Sequence, residues 1–354
     1  MVTAGSLANN SGSHLLTLSA SDGTNAGTAV LAITVADLTA PSAPTLTGTA
    51  STNDNTPTLT GTAEPNSTVT VYSGATSLGQ ATATGGGSYS FTPATALADG
   101  SHSVTATAAD GAGNVSAASS VFSLLVDTAA PGTPAISATT PTNDATPTFN
   151  GTAEAGSLVT VYSDGSSLGQ ATADSGGNYS FTPASALGDG TYAITTTATD
   201  STGNTSAAGG SLSLVVDTAV PSAPTLTGTT PTADNTPTLS GVAEANATVA
   251  AYSDGTAVGQ ATANAGGVYS LIVATTLADG GYSLTANATD SAGNTSSDST
   301  ALAIVVDTVA PGTPTLTGIS PSNTSTPQWS GTAESGSTVT IYSGGVSLGQ
   351  ATAD

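Results

Sequence analysis

The sequence repeats itself every 90 residues, and that period limits what the chain can fold into more than any other feature. Glu64, Glu154, Glu244 and Glu334 stand one period apart, as do Asp37, Asp127, Asp217 and Asp307 and the proline pairs that begin at Pro41, Pro131, Pro221 and Pro311. A unit of this length can bury a small core of its own. The 354 residues therefore divide into three whole modules and two incomplete ones. The boundaries expected are 1–37 for the C-terminal strands of one copy, then 38–127, 128–217 and 218–307 as complete modules, then 308–354 for the N-terminal strands of a last copy. Both ends fall inside a repeat, which suggests a piece of a longer protein. The start, Met1-Val2-Thr3-Ala4-Gly5-Ser6, lacks the basic opening and apolar stretch of a secretory signal, and no segment is long enough to cross a bilayer.

Within one copy, clusters of Gly, Pro and Asn cut the sequence into short stretches of alternating apolar and small polar residues. In the copy from Leu38 to Asp127, strand A is expected at 44–48, a turn at 51–57, strand B at 58–63 and strand C at 68–72. Strand C reads Thr68-Val69-Thr70-Val71-Tyr72, a period of two built from strong β formers. Strands C′ at 78–82, E at 88–92 and F at 102–108 follow, and strand G runs from the Asp110-Gly111-Ala112-Gly113-Asn114 turn to Val126. Seven or eight short antiparallel strands with closely spaced turns describe an all-β chain of tandem immunoglobulin-like sandwiches. Modules joined in this way imply an elongated rod.

Substitutions between copies separate packing from chemistry. Leu59, Phe149, Leu239 and Trp329 occupy one position, which describes a size-tolerant core site rather than a ligand-binding Trp. His102 aligns with Tyr192 and Tyr282, a half-buried structural position rather than a catalytic one, and His14 sits in a similar Gly-Ser-His context.

The charge narrows the partners. There are 23 acidic residues and no Lys or Arg, a formal net charge of −23. Such a surface repels nucleic acid and anionic lipid, both of which are bound through basic side chains. It also gives trypsin-like proteases nothing to cut, an advantage outside a cell. Disorder is disfavoured because only 6% of residues are charged and apolar residues alternate with Thr and Ser. Cysteine is absent, so stability outside a cell must come from packing or metal.

Several runs carry a resemblance. Val216-Asp217-Thr218-Ala219-Val220-Pro221, the stretch from Thr232 to Gly241 and Ala288-Thr289-Asp290-Ser291-Ala292-Gly293-Asn294 are similar to the tandem bacterial Ig-like domains of giant repetitive surface adhesins, the type I-secreted, biofilm-associated kind. The resemblance covers essentially the whole chain. It implies a secreted, extracellular stalk of stacked modules at the bacterial cell surface, stiffened by calcium at the domain junctions and serving cell adhesion or biofilm formation. Neighbouring modules of the parent chain are its implied partners, with any host or matrix ligand held by regions outside this chain.

Topology places the acidic residues independently. Antiparallel strands return the B–C, C′–E and F–G loops to the end of the module where strand A enters. Glu64 and Asp110 belong to that end, and Asp37 arrives there from the preceding copy. Asp127, Glu154 and Asp200 repeat the set, then Asp217, Glu244 and Asp290, while Asp307 and Glu334 begin a fourth. Two carboxylates roughly 6 Å apart repel by about 3 kcal/mol at an effective dielectric of about 20, and no basic residue is available to offset it. Hard oxygen ligands without sulfur favour a structural calcium ion, with Asn side chains and carbonyls completing its shell. The alternative is turn stabilisation by Asp and Asn, which suffices for Asp99-Gly100 and its equivalents.

An enzyme is not expected. Without Cys or Lys and with two scattered His, no nucleophile and base can be paired, and no phosphate-binding loop opens a helix. Two classes of function stay open: a structural stalk, or carbohydrate- or ligand-binding or spacer modules of a secreted enzyme or another surface protein.

Overall fold

The structure, a computed structural model, describes residues 12–318 and 324–354. The first six residues read above lie outside them. Every regular element among the described residues is a strand. Contacts group the chain into two compact units, one of Met1–Ala138, Thr146–Ala186 and Tyr192–Leu214, the other of Thr139–Ala145, Leu187–Thr191 and Val215–Asp354.

The described residues begin with an antiparallel hairpin, β1 (Gly12–Ser21) and β2 (Ala26–Val35). The first sandwich contains β3 (Ser51–Thr52), β4 (Leu59–Thr62), β5 (Thr68–Ser73), β6 (Thr76–Thr82), β7 (Ser88–Phe91), β8 (Gly100–Ala109) and β9 (Phe122–Val126). The second contains β10 (Ala135–Ser137), β11 (Phe149–Thr152), β12 (Leu158–Ser163), β13 (Ser166–Thr172), β14 (Asn178–Phe181), β15 (Gly190–Thr199) and β16 (Leu212–Val216). The third runs through β17 (Thr238–Val242), β18 (Thr248–Ser253), β19 (Thr256–Thr262), β20 (Val268–Ile272), β21 (Gly280–Thr289) and β22 (Leu302–Val306). Four strands end the chain: β23 (Thr317–Gly318), β24 (Trp329–Ser330), β25 (Thr338–Ser343) and β26 (Val346–Thr352).

In the first sandwich the order β3-β9-β8-β5-β6 faces the pair β4-β7; in the second, β13-β12-β15-β16 faces β10-β11-β14, the counterpart of β3 being reduced to the parallel Thr142↔Val216 bridge. The alternation in the sequence is what sorts the faces. Val69 and Val71 of β5 and Val104, Ala106 and Ala108 of β8 are fully buried, while the Thr residues between them lie at the sheet's outer face. Leu59, Phe149 and Leu239 are each 0% exposed, the core position inferred from their interchange, and Trp329 at the same place in the last copy is 39% exposed.

The expected turn at 51–57 is partly strand. Strand A joins β4 through the Thr47↔Thr60 bridge, the Thr45 N–H to Thr62 carbonyl bond and hydroxyl contacts of Thr45 and Thr47 with Thr62 and Thr60. The chain then changes sheets, and Ser51–Thr52 run parallel to Leu125–Val126. The first half of expected strand G is irregular. Ser116 and Ser119, both buried, replace its ladder: their N–H groups donate to the carbonyls of Ala108 and Ala106, and their hydroxyls accept from the N–H groups of the same residues.

Strand A is held from the other side by a tyrosine. Tyr89, Tyr179 and Tyr269, all buried, donate their hydroxyls to the carbonyls of Thr45, Ala135 and Thr225. Each ring crosses a glycine of strand B. A Cβ on Gly61, Gly151 or Gly241 would fall 2.0 Å from those carbonyl oxygens, so only glycine fits. His102 has the structural place expected of it: Nε2 donates to the Ala98 carbonyl at 2.8 Å, which leaves Nδ1 to meet the Ser73 hydroxyl at 3.1 Å. Tyr282 bonds the equivalent carbonyl, Ala278, in the third copy.

Candidate functional site at the module junctions

Strand register puts the expected acidic residues at one end of each sandwich. Thr68 pairs with Ala109, so the turn that carries Glu64 and the turn that carries Asp110 leave the sheet side by side. Leu158↔Thr199 and Thr248↔Thr289 repeat the arrangement for Glu154 with Asp200 and for Glu244 with Asp290.

The aspartate of the F–G turn organises that turn. Oδ1 of Asp200 accepts the N–H groups of Thr202, Gly203 and Asn204 at 2.7–2.9 Å and the Thr202 hydroxyl at 2.7 Å. Its Oδ2 accepts the Asn204 side-chain amide at 2.8 Å. Asp110 and Asp290 are held in the same way by Asn114 and Asn294. Burial works to raise the Asp200 carboxyl, but the bonds from Asn204 and Thr202 overcome it and bring the pKa to about 2. The Asn114 amide, more than any other group, lowers Asp110. At Asp290 burial is again the largest influence and raises the carboxyl, yet the bonds from Asn294 and neighbouring N–H groups leave it lowered.

The linker aspartate is held through its backbone. The N–H of Asp127 donates to the Thr52 carbonyl at 3.0 Å, within the module that it leaves. Its carbonyl accepts the Asn204 amide at 2.8 Å, from the module that it enters. Asp217 repeats both bonds, with Thr142 at 3.0 Å and Asn294 at 2.7 Å, and the Asp37 carbonyl accepts from Asn114 at 2.9 Å. The side chains serve locally: Oδ1 of Asp37, Asp127, Asp217 and Asp307 accepts the N–H two residues on. Asp127 and Asp217 are half-buried, and Asp307 is exposed, its N–H still donating to Thr232 at 2.9 Å.

The residues expected from the sequence to act as a set are thus neighbours in the fold without converging on one point. The carboxylates of Glu64, Glu154, Glu244 and Glu334 are exposed, and their backbone carbonyls close the B–C turn by accepting from Ser67, Ser157, Ala247 and Ser337. Among the described residues no three Asp, Glu or His side chains form a group able to hold a metal ion. Both oxygens of the Asp110, Asp200 and Asp290 carboxylates already accept N–H donors.

The sequence casts asparagine side chains only as supplementary ion ligands, although Asn114, Asn204 and Asn294 carry the same 90-residue period as the aspartates. For Asp99, in a loop that faces the next module, the sequence favours turn chemistry. Asp99, Asp189 and Asp279 reach across to the first linker residue after the junction aspartate, accepting the N–H and hydroxyl of Thr128, Thr218 and Thr308.

A family model described as a bacterial Ig-like domain matches residues 30–128, 134–218 and 225–308. No curated protein matches the chain. Among solved structures, a tetra-tandem repeat in the extending region of a large adhesion protein is 27% identical, with 83% of this chain and 81% of that one covered and a TM-score of 0.26. The BSP domain of a biofilm-associated protein is 14% identical over 77% of this chain and 67% of that one, with a TM-score of 0.21. A membrane-anchored protein from Corynebacterium diphtheriae is 12% identical over 82% and 93%, with a TM-score of 0.24. Likenesses at such TM-scores carry no argument about arrangement or activity.

Proposed function

Since the chain belongs to the bacterial Ig-like domain family and carries that domain three times in tandem, we propose that it is a stalk segment of a bacterial cell-surface protein. It holds other parts of its parent at a distance from the cell, in support of adhesion or biofilm formation. The observation that carries this reading is the linker aspartate bonded to the modules on both sides, at Asp127 and again at Asp217. A tether that only joins domains needs a flexible linker. These linkers instead start on a hydrogen-bonded residue and continue through prolines such as Pro131 and Pro134, which restrict the backbone further. The matched family describes a domain and names no reaction. A surface location agrees with a net charge of −23 without a single basic residue. No helix of the described chain is long and apolar enough to cross a membrane.

Calcium at the junctions is a second part of the proposal, favoured by exposed Glu64, Glu154 and Glu244 in turns that leave the same end of the module as the F–G aspartates, and by the lack of any basic residue to neutralise them. Holding an ion there requires the Glu side chain to swing towards Asp110 or its equivalents. A stalk has no need of a soluble ligand, and an array of glycans and matrix proteins probed with the full chain tests this. The stalk reading expects no saturable binding. Saturable binding abolished by substitutions in the exposed loops would replace it with a recognition module.

A further inference from the structure

The asparagine amides of the F–G turns hold the most economical arrangement in the molecule. A side-chain amide nitrogen has two hydrogens. At Asn204 that nitrogen lies 2.8 Å from Asp200 Oδ2, 2.8 Å from the Asp127 carbonyl and 2.9 Å from the Thr202 hydroxyl, so one amide ties a carboxylate of its own turn to the backbone of the incoming linker, and the Thr202 hydroxyl reaches the same carbonyl at a longer 3.3 Å. The carboxylate fixes which way the amide points, because an acceptor-only anion can face only the nitrogen. It is itself fixed by the N–H groups of Thr202, Gly203 and Asn204. On the other side, Asp127 is joined to Thr52. Next to Thr52, the Asn53 amide stands 3.5 Å from where a Cβ on Gly203 would sit, so the A–B loop of one module abuts the F–G turn of the next. Asn143 and Gly293 repeat that contact.

We infer that Asn114, Asn204 and Asn294 are positioning residues that set the angle between consecutive modules without a metal ion, each by bridging its F–G aspartate to the carbonyl of the linker aspartate. This inference rests on the stalk reading and names what makes the stalk stiff. It also explains why aspartate and asparagine recur as a pair four residues apart at Asp110 and Asn114, Asp200 and Asn204, and Asp290 and Asn294. The aspartate alone suffices to stabilise the turn. The asparagine adds a donor that reaches a second acceptor, the linker carbonyl.

The chain has no cysteine, so spin labels can be placed at will on the full-length protein. Cysteines introduced at the exposed Thr82 and Thr172 mark equivalent positions in the first two modules. In chelator, the parent chain is expected to give one narrow distance distribution by pulsed electron resonance. Asn204→Ala removes the amide's bonds, leaves the Asp127 carbonyl only the longer contact from the Thr202 hydroxyl, and is expected to lose the single narrow distance while thermal unfolding of the modules stays cooperative. Asn204→Asp keeps the shape but sets a second carboxylate against Asp200 and the Asp127 carbonyl. It is expected to broaden the distribution in chelator and to regain the narrow distance when calcium is added, three oxygens then facing the ion. A parent chain as broad in chelator as Asn204→Ala would overturn the inference, and so would an Asn204→Ala distribution as narrow as the parent's. Should both variants unfold, the parent chain in chelator still decides. Ligand capture on the array would sink the stalk reading while leaving these distances untouched, so the two failures are distinguishable.

Discussion

Asp200 is the residue whose chemistry is most exposed to test. Its carboxyl lies at about 2 in the folded chain, against about 3.9 for an unperturbed aspartate. A folded-state pKa below the unfolded one contributes stability that is complete above the unfolded value and is lost as the pH falls through the folded one. The second junction is therefore expected to stay intact down to about pH 4 and to loosen between there and pH 2, and Asp110 and Asp290, lowered by the same kind of bond, are expected to follow. A carboxyl-carbon titration followed by NMR checks this, with the Asn204 side-chain amide as reporter. An Asp200 midpoint near 4, or an Asn204 amide blind to that midpoint, would contradict the bond described here. The aspartates were legible in the sequence because they repeat and because turn and metal chemistry both call for oxygen. Asn204 was legible as a repeated residue but not as a bridge: its second acceptor is a backbone carbonyl 77 residues away, which side-chain type does not reveal. The glutamates mark the opposite limit. Topology brought Glu64 to the correct end of the module, yet whether a side chain points at a neighbour or at water depends on the geometry of the turn.

The strands were mostly legible, and the exceptions share a cause. Strand C, β5, begins at Thr68 as its alternation predicts, because Val69 and Val71 have one face to fill. Ser51–Thr52 are not legible as a strand, since two residues are too few to show a period and their pairing is dictated by β9. The upper part of strand G lost its ladder to the hydroxyls of Ser116 and Ser119, a competition that Ser can win in any irregular stretch. The tyrosine and glycine that hold strand A offer a direct test. Gly151→Ala would push a methyl group to 2.0 Å from the Ala135 carbonyl and against the Tyr179 ring. The overpacking is expected to cost about 1–3 kcal/mol, with β10 released from β11, as read by chemical denaturation followed through tyrosine fluorescence. An unchanged midpoint would mean that strand A is not held as described.

At the scale of the whole molecule, the period of 90 residues fixed the number of modules before any strand was placed, and the family match falls on the same three copies. Sequence could not say what joins them, because a linker's stiffness depends on bonds formed only after both modules fold. The central claim is that the junction aspartates, held on both sides, turn a string of domains into a stalk. Small-angle X-ray scattering of the full chain in chelator and then in calcium tests it most directly. A compact globule of 354 residues would have a radius of gyration of about 20 Å, and the unfolded chain about 68 Å. The expected value lies well between these limits in chelator already, with the constant cross-section of a rod, and calcium adds at most further stiffening. A radius near the compact value, or a coil-like profile that becomes rod-like only in calcium, would contradict it.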